Sequence, residues 1–289
     1  MRPVAVVTGA TSGIGRHVAR GLAAAGFRLV LPVRDEARGR AVQDWLGEAE
    51  TELEIADLSS LASTRAAGVA IAARHPRLAL LVNNAGVFRA RRTLTAEGRE
   101  LVLAVNHLAP HVLTEALLPA LLAGAPSRIV LTGSSTSDRA RIDPARLELG
   151  RRWTMVGAYS QSKLAAMMST FDAARRLTGM GVVANVVHPG MVATGLIRSG
   201  GPIGLAWRAM APWLRTDAQG AETPLHVALD PALAGVTGRY FKDREPAAPN
   251  RRALDPMLVG QVVAATEALI AATAASATAA SAAAATSAR

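Results

Sequence analysis

Apolar residues along the chain fall into short runs, separated by longer stretches in which they recur every three or four positions. The runs are VAVVT (4–8), FRLVLPV (27–33), ELEIA (52–56), LALLVN (78–83), RIVLT (128–132), VVANVV (182–187) and GRYF (238–241). Runs this short, bounded by turn residues and rich in valine, isoleucine and leucine, predict strands covered on both faces. The intervening segments 14–25, 35–48, 60–74, 96–122 and 156–178 are long enough for crossover helices. This alternation predicts one α/β domain, a doubly wound parallel sheet of about seven strands with helices on both faces.

The pattern changes near residue 263. From 264 to 289 the chain is an alanine, serine and threonine tract with no charge between Glu267 and Arg289. Its length suits a bilayer, but these residues supply little transfer energy, so we expect a helical or frayed appendage to a 1–263 domain and no membrane span. The first residues run from one arginine directly into the first strand, unlike a signal peptide. With no cysteine in 289 residues, disulfides, thiolate metal sites and a thiol nucleophile are excluded, and a cytoplasmic location is expected. A net charge of +10 admits nucleic acid as a partner. Aromatic residues are only 3% and the arginines are scattered, which argues against it. No histidine or carboxylate group has ligand spacing, so no metal is expected.

After the first strand comes TGATSGIGRHVARGLAAAG, with Gly9, Gly13 and Gly15 at the turn. Glycines there let backbone amides approach a phosphate at a helix N-terminus and let helix and strand pack closely. The spacing is G-x-x-x-G-x-G rather than the G-x-G-x-x-G fingerprint. TGATSGIG, DLSS (57–60), NNAG (83–86), VNH (105–107), a serine after RIVLT, YSQSK and HPG (188–190) follow in an order that resembles the short-chain dehydrogenase/reductase family, up to about residue 260. VNHLAPHVLT, HPGMVATGL, TDAQGAETPLHVAL and TGRYFKDREPAAP resemble its retinol dehydrogenase-like branch.

The resemblance implies a Rossmann-type fold and a nicotinamide cofactor. It places Gly9, Thr11, Ser12, Gly13 and Ile14 around the phosphates, Asp57 and Leu58 near the adenine, and Asn83, Ala85 and Gly86 along the adenine ribose and pyrophosphate. Pro189, Gly190, Val192 and Thr194 would shape the nicotinamide end. Asp57 has a competing role as a helix cap, and residues 83–86 as a strand-ending turn. Where NAD enzymes of this fold carry an acid that repels a 2′-phosphate, this chain has Val33 followed by Arg34. A guanidinium suits that phosphate, so NADP(H) is expected rather than NAD(H), with Arg16 as a helper. Asp35 and Glu36 lie close enough in sequence to reverse the preference.

Tyr159 and Lys163 stand one helical turn apart, on one helix face. A phenol can give a proton to a carbonyl oxygen as hydride arrives, or take it in reverse. Base action near neutrality needs its pKa lowered from ~10 by about 3 units, worth ~4 kcal/mol. A cation at 4 Å supplies roughly that in an effective dielectric of about 20, less the desolvation of both groups. In the resembled family Ser134 hydrogen-bonds the substrate oxygen, with Ser135 as the adjacent alternative, and Asn106 orders a water beside the lysine. Lys163 also holds the nicotinamide ribose, so Tyr159 and Lys163 count among the cofactor residues. His107 and His188 are expected to be structural or cofactor-lining.

Residues 195–215 fall where the family places its substrate-covering segment. Trp207, Met210 and Trp213 give that segment an apolar face, which predicts a hydrophobic alcohol, aldehyde or ketone. Two rival functions are a non-catalytic NADP(H)-binding regulator and a basic binding protein using the arginines around 139–152. Family habit implies a homodimer or homotetramer through the helices at 96–122 and 156–178.

Overall fold

The computed structural model describes residues 2–192 and 214–287. Strands β1 (Val4–Val7), β2 (Arg28–Val33), β3 (Thr51–Ile55), β4 (Leu80–Asn83), β5 (Ser127–Thr132), β6 (Val182–His188), β7 (Tyr240–Lys242) and β8 (Glu245–Ala247) form one sheet in the order β3-β2-β1-β4-β5-β6-β7-β8. All neighbours are parallel except β7 and β8. The order reverses between β1 and β4, which opens a crevice at the carboxyl ends of those strands. The expected seven strands are all present. The eighth is an edge hairpin whose turn, Asp243 and Arg244, is left-handed at both residues (φ 51° and 67°).

Helices α1 (Gly13–Ala24), α2 (Glu36–Leu46) and α6 (Asp217–Leu229) cover one face. Helices α3 (Leu61–Arg74), α4 (Leu101–Ala123) and α5 (Met155–Arg176) cover the other. The two-residue period of β1 explains why both faces are apolar: Ala5 and Val7 pack under α1 and α6, and Val6 packs under α3, α4 and α5. Edge strand β3 is guarded by charge, with Glu52 and Glu54 paired to Arg74 and Glu52 also to Arg28.

The alanine-rich stretch belongs to a helix, α7 (Pro256–Ser287), that starts before it. Its first half packs on the domain. Val259 and Val262 enter the core beside Leu164 and Met168, Leu269 and Ile270 pack on that cluster, and Thr266 and Thr273 are buried. The packed body therefore continues past residue 263. Part of the face that α4 and α5 were expected to offer a second subunit is covered by α7 of the same chain: His107 Nε2 on α4 meets Thr266 Oγ1 at 2.7 Å.

Among the described residues, two helices are long and apolar enough to cross a membrane, Leu101–Ala123 and Pro256–Ser276. The first is 61% buried in the fold, the second 22%. Pro256–Ser276 is thus a largely uncovered apolar helix, where the alanine content predicts no membrane span.

Candidate active site

The glycine turn is built as the spacing requires. Gly9 has φ +69°, and a β-carbon on it would lie 2.9 Å from Ala85 Cα. On Gly15 it would lie 2.3 Å from the Gly9 carbonyl oxygen, so β1 and α1 meet with no room for a side chain. Thr8 closes the crevice from below, its Oγ1 accepting from the backbone N–H of Asn84 and Ala85 at 3.0 Å each. Helix α1 is distinctive at its N-terminus. Asp35, Ser60, Thr154 and Thr216 cap α2, α3, α5 and α6 with their side chains, whereas Ser12 makes no such bond at α1. Its first-turn N–H groups are left to an external acceptor, at the helix end where the dipole favours an anion. Both the cradle and the uncapped helix fit a dinucleotide pyrophosphate beside Gly9, Thr11, Ser12, Gly13 and Ile14.

The remaining cofactor candidates spread along the crevice. Arg34 stands exposed at the end of β2 with no carboxylate partner among the described residues. Asp57 folds back to accept from Ser59 N–H and Oγ–H at 2.9 and 2.8 Å, and Ser60, not Asp57, caps α3. Leu58 follows in the same loop. The Asn83 side chain turns into the core and donates to Thr114 Oγ1 at 3.0 Å. Any cofactor contact from position 83 falls to its backbone. The neighbouring Asn84, not singled out from sequence, ties the crevice instead, donating to the Thr8 carbonyl and accepting from Thr132 Oγ1. Gly190 takes φ +87° after Pro189, and Val192 pairs with Arg215. Thr194 and the substrate-covering residues 195–213 lie outside the described residues. Asp217 was also missed: a β-carbon on Gly13 would lie 3.8 Å from its Oδ1, an atom buried without a partner.

Tyr159, Lys163, Ser134 and Asn106 converge where β4 and β5 end against α5. Tyr159 is 9% exposed, with Ser134 close enough to its hydroxyl to lower its pKa. Ser135 is exposed. Ser134 Oγ accepts from Thr136 N–H and Oγ1–H at 3.3 and 3.1 Å, leaving its own proton to donate. Asn106 sits in a π-helical turn, Ala104–Leu108, whose extra residue per turn interrupts α4. Its amide clasps the loop after β4, with Oδ1 accepting from Val87 N–H at 2.7 Å and Nδ2 donating to Val87 O at 3.0 Å and Ser162 Oγ at 3.1 Å. The Lys163 ammonium donates to the Thr132 carbonyl at 2.8 Å, and a β-carbon on Gly86 would come within 3.3 Å of it.

Here the electrostatics differ from the sequence argument. Burial pushes the Tyr159 phenol up, with the Ser134 hydrogen bond offsetting part of the rise. Burial also pushes Lys163 down to about 8. Both groups leave water, and desolvation penalises the charged form of each. The aromatic and aliphatic wall around the phenol accounts for this: Phe88 meets Tyr159 edge-on at 5.1 Å, and Val87, Val102, Leu149 and Trp153 pack with it.

Two histidines are held neutral nearby. His107 is pushed down to about 3 by burial and the neighbouring His111. His188 is pushed down to about 4, by burial first and then by Lys242, with Arg215 adding and Asp138 and Asp243 opposing. The unfolded chain binds protons at both as pH falls below 6.5, and the folded chain does so only near these lower values. Stability is therefore complete above pH 6.5 and falls toward pH 4, by about 1.4 kcal/mol per pH unit for each histidine. Urea midpoints at pH 7 and pH 5 measure the slope, and His107→Gln is expected to reduce it.

A nucleotide cradle at the strand-order reversal, with tyrosine, lysine, serine and asparagine converging beside it, defines a dinucleotide-dependent oxidoreductase. The model of the family described as short chain dehydrogenase matches residues 3–201, and the chain belongs to that family. Within it the chain is retinol dehydrogenase-like, an oxidoreductase acting on CH–OH or C=O groups. It is 37% identical to retinol dehydrogenase 12 of Homo sapiens over 244 residues, covering 83% of this chain and 77% of the relative. Among solved structures, a Mycobacterium paratuberculosis protein titled putative and uncharacterised superposes with TM-score 0.76 at 29% identity, covering 93% of both chains. A short chain dehydrogenase from Burkholderia cenocepacia in complex with NADP gives TM-score 0.69 at 28% identity, covering 83% of this chain and 95% of that one.

Proposed function

We propose that the chain is an NADP(H)-preferring enzyme that interconverts a hydrophobic alcohol and its aldehyde or ketone, with Tyr159 as general acid and base. The observation that carries this reading is a buried Tyr159 within an apolar wall, one helical turn from a Lys163 ammonium anchored to the Thr132 carbonyl at 2.8 Å. A bound nicotinamide supplies or takes the hydride. Ser134 Oγ–H and Tyr159 O–H hold the substrate oxygen, and the phenol gives up its proton to that oxygen in reduction or regains one in oxidation. Lys163 stabilises the phenolate and holds the nicotinamide ribose. Asn106 fixes the Gly86–Val87 loop against α5 and orders a water beside Lys163. The wall of Phe88, Leu149 and Trp153 excludes water and favours apolar substrates. Val192 would hold the carboxamide through its backbone, and Thr194, the other residue proposed for that role, lies outside the described residues.

The preference for NADP(H) rests on charge at the end of β2. Asp35 is committed as the α2 cap, accepting from Arg38 N–H at 3.1 Å, and Glu36 pairs with Arg40 at 2.6 Å. Both acids that would favour NAD(H) are thereby engaged, which leaves Arg34 to meet a 2′-phosphate. Arg34→Ala is expected to weaken NADPH binding at least tenfold and to leave NADH binding within twofold, read by fluorescence titration. Equal affinity of the wild-type chain for both cofactors overturns the preference.

The chain is placed in the cytoplasm on the ground that ten of the 21 residues of Pro256–Ser276 are alanine, serine or threonine, which partition weakly into hydrocarbon, and that Glu267 stands among them. Recovery of the full-length chain in the high-speed supernatant checks this, and a pellet that withstands alkaline carbonate overturns it.

A further inference from the structure

Away from Tyr159, a concavity of about 740 Å³ opens between the turns of residues 144–152 and helix α7. Its size lies within the ~300–1,000 Å³ common for small-molecule sites. Leu147, Leu149 and Leu269 give it an apolar lining, and Arg146, Arg151 and Arg152 add positive charge. Arg151 and Arg152 are exposed with no carboxylate partner among the described residues, and the partner of Arg146, Asp143, is 3.9 Å away. Glu148, the one acid in the lining, is engaged elsewhere, pairing with Arg99 at 3.3 Å and accepting from Glu100 N–H at 2.9 Å. The loop is also strained. Leu149 has φ 58°, a left-handed conformation that leucine rarely adopts.

We propose that this groove binds a single-chain amphiphile with an anionic head, its alkyl chain along the leucines and α7 and its head on the arginines. The site is distinct from the carbonyl pocket but touches it, because Leu149 also packs in the wall around Tyr159.

Palmitate titrated calorimetrically into the full chain with NADPH present tests the site. One equivalent is expected to bind, more weakly as salt is raised, and hexadecanol is expected to bind at least tenfold more weakly. The pair Arg151→Ala and Arg152→Ala is expected to weaken palmitate at least tenfold, and Ala268→Trp, which fills the groove, to abolish binding. Tyr159→Phe is expected to bind palmitate as wild type does, so failure of the catalytic reading leaves this result standing. Absence of palmitate binding, equal binding of hexadecanol, indifference to the arginine changes, or binding only to anionic phospholipid vesicles overturns the proposal.

A separate cavity supports a second inference. Between β4, β5, α4 and α5 lies a narrow space of about 20 Å³, enough for one water. Three side-chain atoms of its lining residues are buried without a partner: Asn83 Oδ1, His107 Nδ1 and Ser169 Oγ. Thr266 Oγ1 donates to Val262 O at 2.7 Å, so it accepts from His107 Nε2–H, and His107 Nδ1 is an acceptor. The inventory is two acceptors and one hydroxyl, which a single water satisfies by donating twice and accepting from Ser169. The geometry assigns a structural water here, joining the end of β4 to the helices that carry Asn106 and Tyr159. A crystal structure at high resolution is expected to show a water within hydrogen-bond distance of all three atoms, and nitrogen NMR to show the His107 proton on Nε2. Ser169→Ala is expected to lower Tm by about 2–4 °C. A dry cavity, a proton on Nδ1 or an unchanged Tm overturns it.

Discussion

Replacing Tyr159 with phenylalanine is expected to lower kcat for NADPH-dependent reduction of an apolar aldehyde by about 10²–10⁴-fold, the range that general acid–base groups contribute. Cofactor affinity is expected to stay within about threefold, since the ring still fills its place against Phe88. The hydroxyl carries the chemistry and the ring carries the packing. A variant that keeps more than a tenth of wild-type kcat removes Tyr159 from the mechanism.

The direction of the phenol's shift adds a second readout. Burial raises the Tyr159 pKa, so at neutral pH the group is protonated and ready to donate. Reduction therefore needs no prior ionisation and is expected to be flat from pH 6 to 8. Oxidation needs the phenolate and is expected to rise with pH across the same interval. A rate of oxidation that falls with rising pH contradicts Tyr159 as the base.

Several features were legible before any coordinates because each rested on local rules. Short apolar runs marked the seven parallel strands, and glycines at 9, 13 and 15 marked the tight turn. The edge hairpin was not legible, because Asp243 and Arg244 take left-handed conformations that usually call for glycine or asparagine. The packing of α7 was hidden by composition, since alanine marks no face. The signal was present in Thr266, Leu269 and Thr273, which stand three, four and seven residues apart. At the site, the sequence spacing left Ser134 and Ser135 open; Ser134 is half-buried and Ser135 exposed. The opposite courses of the Asn83 and Asn84 side chains were not legible, because strand alternation sends adjacent side chains to opposite faces and a one-residue shift exchanges them. That desolvation of both groups outweighs the cation was not legible, because its size depends on the packing around Tyr159 and Lys163.

Substituting Gly15 with alanine is expected to raise the NADPH Kd at least 100-fold and to lower Tm. The change is nearly ideal for separating space from conformation. Gly15 lies in the first turn of α1 and is not among the positive-φ glycines, so alanine suits its backbone. Its β-carbon, however, would stand 2.3 Å from both the Gly9 carbonyl oxygen and Asn84 Nδ2. The first of these is backbone and cannot swing aside, so α1 must move away from β1, and the uncapped N–H groups at its start move with it. Overpacking of this kind costs about 1–3 kcal/mol in stability. The larger effect falls on binding, because the phosphate cradle loses its register. Gly26→Ala is the contrasting control. Gly26 has φ +87° and nothing within 4 Å of its missing β-carbon, so alanine there imposes only backbone strain and is expected to lower Tm while leaving NADPH affinity within twofold. If both variants bind NADPH as the wild type does, the contact between Gly15 and Gly9 does not build the cofactor site.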